Sequence, residues 1–119
     1  MKALQCIELG GPEKLIVSEI PDPVIAEEHV VIEVKSASVN FPDVLMIQGL
    51  YQFQPPLPFT PGGESAGIIT EVGNRVENFK IGDKVFAATG IGGISEKILA
   101  HQSSICLLYT SDAADEEDS

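Results

Sequence analysis

Four polar side chains in the stretch Ser38–Gly67 have types and spacing suited to chemistry: Asn40, Asp43, Tyr51 and Glu64. An asparagine amide carries both a donor and an acceptor, which suits orienting a carboxamide or a carbonyl oxygen. Asp43 can fix nearby backbone or a bound hydroxyl. Tyr51 offers a wall for a flat ring, with a hydroxyl for a carbonyl or phosphate. Glu64 sits between Gly62-Gly63 and Ser65-Ala66-Gly67. A carboxylate in so tight a turn is expected to accept backbone N–H bonds and support a cleft floor. Each residue also has a plainer reading. Asn40 ends a strand, Asp43 caps a helix, Tyr51 anchors a loop and Glu64 shapes a turn. Phe41, Phe53 and Phe59 read as core or loop packing, Cys6 as a buried strand residue, and His29 and His101 as strand-edge residues.

The elements that must position these side chains are mostly strands. Lys2 to Glu8 alternates in the strand manner, Gly10 to Glu13 is a turn, and Leu15 to Ile20 returns as the second arm of a hairpin. Val30, Ile32 and Val34 alternate with Val31, Glu33 and Lys35, and this third strand runs on to Val39. Pro42 suits the first position of a short helix, Asp43 its first turn, and Gly49 its end. Pro55, Pro56, Pro58 and Pro61 exclude helix and central strand from the loop that follows. Strands are expected again over Ser65–Val72, Lys84–Ala88 and Glu96–Ala100, separated by glycine turns. Many short strands with one short helix predict a mainly β fold, a small, partly open barrel.

With 119 residues, 44% of them hydrophobic, the chain has enough apolar material for one domain with a modest core. A net charge of −11 argues against nucleic acid and against an anionic membrane surface. No apolar run has the length of a membrane span, and the start lacks a signal-peptide pattern, so a cytoplasmic protein is expected. Cys6 and Cys106 have neither disulfide-framework density nor metal spacing. Gly90-Ile91-Gly92-Gly93 has neither the spacing nor the following helix of a dinucleotide-binding turn.

Several segments in a fixed order carry a family resemblance: Asn40-Phe41-Pro42-Asp43, Gly49-Leu50-Tyr51, Pro58 to Gly67, Val72-Gly73 and Phe79 to Val85. They look like the N-terminal, GroES-like domain of medium-chain dehydrogenase/reductases. The nearest group is the zinc-lacking NADPH:quinone oxidoreductases related to ζ-crystallin. The resemblance spans residues 1–105. It implies hydride transfer from NADPH to a quinone or an α,β-unsaturated carbonyl, with most of the NADPH site in a Rossmann half that this chain lacks. It implies Asn40 and Asp43 as the catalytic pair, and Phe41, Leu45, Tyr51 and Glu64 as lining of the substrate and cofactor cleft. Leu45 stands where the quinone reductases often carry a tyrosine. Zinc-bearing relatives place a cysteine at the position of Asn40 and a histidine at that of Gly63, so no zinc is expected. The full-length parent is expected to be a homodimer, and the fragment alone to be inactive. Two other readings stand beside this one. The first is an enoyl-CoA or other enone reductase of the same superfamily; the second is a stand-alone GroES-like binding module without catalysis.

From Cys106 the pattern changes abruptly. Residues 106–116 are similar to a translated transposase adapter of the kind used in sequencing libraries. Residues 106–119 are therefore expected to be a non-native, disordered tail, with the gene cut near Ile105. Five of the acids, Asp112, Asp115, Glu116, Glu117 and Asp118, lie in it.

Overall fold

A computed structural model describes residues 1–108. The elements in chain order are β1 (Lys2–Cys6), β2 (Leu15–Glu19), β3 (His29–Ser38), α1 (Phe41–Gln48), β4 (Glu64–Val72), β5 (Lys84–Ala88), β6 (Lys97–His101) and β7 (Ile105–Leu107). β1 and β2 form the expected antiparallel hairpin sheet. The other five strands form one antiparallel sheet in the order β6-β3-β4-β5-β7. Its edges, β6 and β7, do not pair with each other, so the fold is mainly β with open sheets rather than a closed barrel.

β3 is central because Val30, Val31 and Ile32 are all fully buried. They pair with β4 on one side and β6 on the other. The main core gathers Val30, Ile32, Ile69, Val85, Ile98 and Ile105 from five strands. Each such side chain contributes about 1.5–3 kcal/mol by leaving water. A second cluster, Cys6, Met46, Ile47 and Phe59, packs α1 against the hairpin sheet and the proline-rich loop. Burial pushes the Cys6 thiol up from its ordinary value, as befits a packing residue.

The strand arms around the site depend on a close backbone approach. The register of β3 against β4 shifts between Val34 and Ser36. That extra residue bends β3 over β4. A Cβ on Gly67 would lie 2.0 Å from the Glu33 carbonyl oxygen, so only glycine fits there.

One expectation fails at the end of the chain. Cys106 and Leu107 are not disordered: with Ile105 they form β7, which pairs with Val85, Phe86 and Ala87. Ile105 is buried in the main core, and the strand continues its pairing past the expected cut. The rest of the expected tail, residues 109–119, lies outside the described residues. Among the described residues, no helix is long and apolar enough to cross a membrane.

Gly67→Ala should lower the unfolding free energy by about 2 kcal/mol or more, because the displaced partner is backbone and cannot rotate away. Urea denaturation measures this; an unchanged midpoint would contradict the close approach.

Candidate functional site

The site is built where β3 ends, α1 begins and the proline-rich loop turns into β4. Asn40 is the residue before the helix, with extended backbone. Its carbonyl accepts from the N–H of Asp43 and of Val44. Pro42 occupies the second helical position rather than the first, where its missing N–H is still no loss. At the far end Gly49, at φ 76°, ends the helix in the left-handed conformation.

Asp43 is the third helical residue and only 3% exposed. Its Oδ2 accepts from the Asn40 N–H at 2.8 Å, one arm of a capping box. Its Oδ1 accepts from the Gly62 N–H at 3.3 Å. The carboxylate therefore ties the start of α1 to the turn that launches β4. The role expected of Glu64, accepting backbone N–H groups in a tight turn, belongs to Asp43 instead.

Glu64 is exposed and opens β4, directly across from Ser38 at the end of β3. Its Oε1 accepts from Ser38 Oγ and from Asn40 Nδ2, both at 3.3 Å. Asn40 Nδ2 also lies 3.2 Å from Ser38 Oγ. These three side chains form a closed polar triangle, and two of them, Asn40 and Glu64, line a cleft of about 440 Å³.

Asn40, Asp43, Tyr51 and Glu64 all line that cleft. Pro42, Met46, Phe53 and Ala88 add apolar surface, and Gly63 and Gly90 bring backbone to its edge. Two expected lining residues are not among them. Phe41 is 72% exposed at the first helical position, and Leu45, one residue before Met46, is half-buried on another side of the helix. The helical period decides this: Pro42 and Met46 are four apart and share a face, while Phe41 and Leu45 share the next one. Ser38, Met46 and Phe53 were missed as site residues. For Ser38 the signal was present, because it lies two residues before Asn40 in a strand, where alternate residues share a face. Ala88 and Gly90 arrive from β5 and its loop through sheet pairing, which no local pattern announces.

Chemically, the cleft offers an apolar surface suited to a flat ring and a rim of uncharged and anionic acceptors and donors. Among the described residues, no lysine or arginine lines it, so they offer no side-chain cation for a phosphate. The donors do not fit tetrahedral zinc either. Asn40 and Gly63 supply neither sulfur nor imidazole, and both Asp43 oxygens already face backbone N–H groups. Among the described residues, no three His, Cys, Asp or Glu side chains cluster as metal ligands do. His29 and His101 pack edge to face across β3 and β6, and His101 pairs with Glu28.

Comparison with known proteins gives a consistent picture. A family model for the alcohol dehydrogenase GroES-like domain matches residues 26–114. The quinone oxidoreductase of Lama guanicoe is 40% identical over 107 residues, covering 88% of this chain and 32% of that protein. Among solved structures, a probable oxidoreductase from Mycobacterium abscessus is 39% identical with a TM-score of 0.85, over 90% of this chain and 34% of that one. The Escherichia coli quinone oxidoreductase complexed with NADPH is 32% identical with a TM-score of 0.86, over 92% of this chain and 33% of that one. The chain thus spans about a third of the length of the curated relatives it matches.

Asp43→Ala should cost about 2 kcal/mol, because it leaves the buried Gly62 N–H without a partner and removes the cap from α1. Asp43→Asn should cost less, since the amide oxygen keeps one of the two bonds. Chemical denaturation of both variants checks this. A loss for the alanine variant below about 0.5 kcal/mol, the range of an ordinary surface change, would contradict the anchoring role.

Proposed function

This chain belongs to the alcohol dehydrogenase GroES-like family, and on that premise we propose that it is the N-terminal part of an NADPH-dependent quinone oxidoreductase. One observation carries the reading. Asn40 and Glu64, joined with Ser38 in a polar triangle, line an apolar cleft, in a chain 40% identical to a quinone oxidoreductase over 88% of this chain and 32% of that protein. The solved quinone oxidoreductase from Escherichia coli, in complex with NADPH, shares the fold.

When bound, NADPH supplies the hydride, and the protein supplies position and electrostatics. This chain provides one wall of the site. Tyr51, Phe53 and Met46 give the nicotinamide or quinone ring an apolar surface and keep water from it. Asn40 orients a polar substituent of the ring, and Asp43 holds Asn40 and the Gly62 turn in place. The phosphates of the dinucleotide are held by the second half of the protein, consistent with the lack of cations in this cleft. The isolated chain is accordingly inactive. Dimerisation through the second half and a cytoplasmic location belong to the same reading.

The test is to read the source DNA across the codon for Ile105 by a transposon-free method and express the continuous frame. The full-length protein should oxidise NADPH in the presence of a quinone. Asn40→Ala should lower kcat/KM by about ten-fold, the worth of one well-placed hydrogen bond to a reactant, with the melting temperature preserved. An unchanged rate would remove Asn40 from the site. A frame that continues through residues 106–119 to a stop codon would remove the enzyme reading for this chain.

A further inference from the structure

We infer that His101 is a proton-sensitive clasp on the seam of the five-stranded sheet. Neutral, it holds the 3-10 turn Gln102–Ser104 that joins β6 to β7; on taking a proton, it releases that turn. The device is independent of what the cleft binds.

The seam comes from the topology. β6 and β7 are the opposite edges of the sheet, yet the turn Gln102–Ser104 alone joins them. Four strand spacings measure about 19 Å across a flat sheet. Four Cα steps, from His101 to Ile105, reach about 15 Å at most. The sheet therefore curls until its edges approach, and the turn bridges the gap that is left. Gln102 anchors the turn from outside the sheet. Its N–H donates to the Glu28 carbonyl, its Oε1 accepts from the Glu77 N–H, and its Nε2 donates to the Arg75 carbonyl. Directly after the turn, Ile105 enters the main core.

His101 caps this turn, and its hydrogen bonds specify one form of the ring. The Ser103 backbone N–H can only donate, and it donates to His101 Nδ1 at 3.1 Å. Nδ1 is therefore the bare nitrogen, and the ring proton sits on Nε2. Nε2 in turn lies 3.1 Å from Glu28 Oε1, a carboxylate oxygen that can only accept. The Ser103 hydroxyl, 2.8 Å from Nδ1, faces the same bare nitrogen. A further proton has one place to go, Nδ1. The protonated Nδ1 is a donor. The Ser103 hydroxyl oxygen can still meet it, but the Ser103 N–H cannot, so the cap is lost.

The surroundings direct the proton to this ring. His29 lies directly across on β3, with its ring edge to face at 5.1 Å. Among the described residues, Glu28 is the one carboxylate within ion-pair distance of either ring, and it faces His101. The loop that Gln102 ties down carries Arg75 and Glu77, and Arg75 faces Glu27 at 3.9 Å. Histidine is the side chain whose charge ordinarily changes between about pH 5 and 8.

The test uses the 119-residue chain labelled with 15N. Across an N–H···N hydrogen bond, the Ser103 nitrogen and His101 Nδ1 share a measurable scalar coupling. It should be present at about pH 8 and absent at about pH 5. The exchange protection of the Ser103 amide, corrected for its intrinsic rate at each pH, should fall about five-fold over that range, the worth of one net hydrogen bond. In His101→Asn the side-chain oxygen caps the turn without titrating, so the protection should hold throughout. Glu28→Gln keeps an acceptor for Nε2–H but removes the charge that favours the cation. The midpoint of the change should therefore move to lower pH. A merely structural role for Glu28 would lower the protection at every pH and leave the midpoint in place. A coupling absent at the upper pH or retained at the lower, a pH dependence that survives in His101→Asn, or an unmoved midpoint in Glu28→Gln would each overturn the inference.

Discussion

The Asp43 carboxylate joins two pieces of backbone that are distant in sequence and must be adjacent for a cleft to exist. One oxygen takes the N–H of Asn40, where β3 gives way to α1; the other takes the N–H of Gly62, where the proline-rich loop turns into β4. Because the group is almost wholly buried, either N–H left without it would lack a water to replace it. The helix start and the β4 turn are thereby one rigid corner. Asn40, Ser38 and Glu64 stand on that corner, and their mutual distances follow from it.

The hairpin sheet supports the corner from behind. Cys6 exchanges backbone hydrogen bonds with Phe59, and Gln5 Nε2 donates to Thr60 Oγ1 at 2.7 Å in the interior. β1 thus extends into the proline-rich loop and fixes the residues just before Gly62. Met46 and Ile47 pack on the same cluster from the helix side. The apolar face of α1 is divided between this core and the cleft, so one short helix serves both stability and site. Phe41, Leu50 and Phe53 stay exposed. Exposed apolar surface of this kind accords with a chain that is about a third as long as its relatives.

Much of this was readable from local chemistry. The hairpin, the central strand and the helix bounded by Asn40 and Gly49 follow from alternation, capping and turn residues that act over a few positions, whereas placing Asn40, Asp43, Tyr51 and Glu64 at a cleft needed the family resemblance. What was not readable depends on partners remote in sequence. β7 is three residues long and exists because β5 offers it an edge, which the adapter-like pattern from Cys106 onward gave no means to see. The exchange of roles between Asp43 and Glu64 is of the same kind. Both carboxylates sit near turns, and only the three-dimensional placement of the Gly62 N–H decides which one receives it. Phe41 and Leu45 were assigned to the cleft by matching positions in a family, whereas the helical period turns them off the face that Pro42 and Met46 share.

The central claim is that this corner is one half of a hydride-transfer cleft. The most direct measurement is to join residues 1–105 to the nucleotide-binding half of the Escherichia coli quinone oxidoreductase, whose fold this chain matches over 92% of its length, and to follow NADPH oxidation with a quinone acceptor. The account predicts a folded chimera that binds NADPH and reduces the quinone. A chimera that folds and binds NADPH yet transfers no hydride would contradict it.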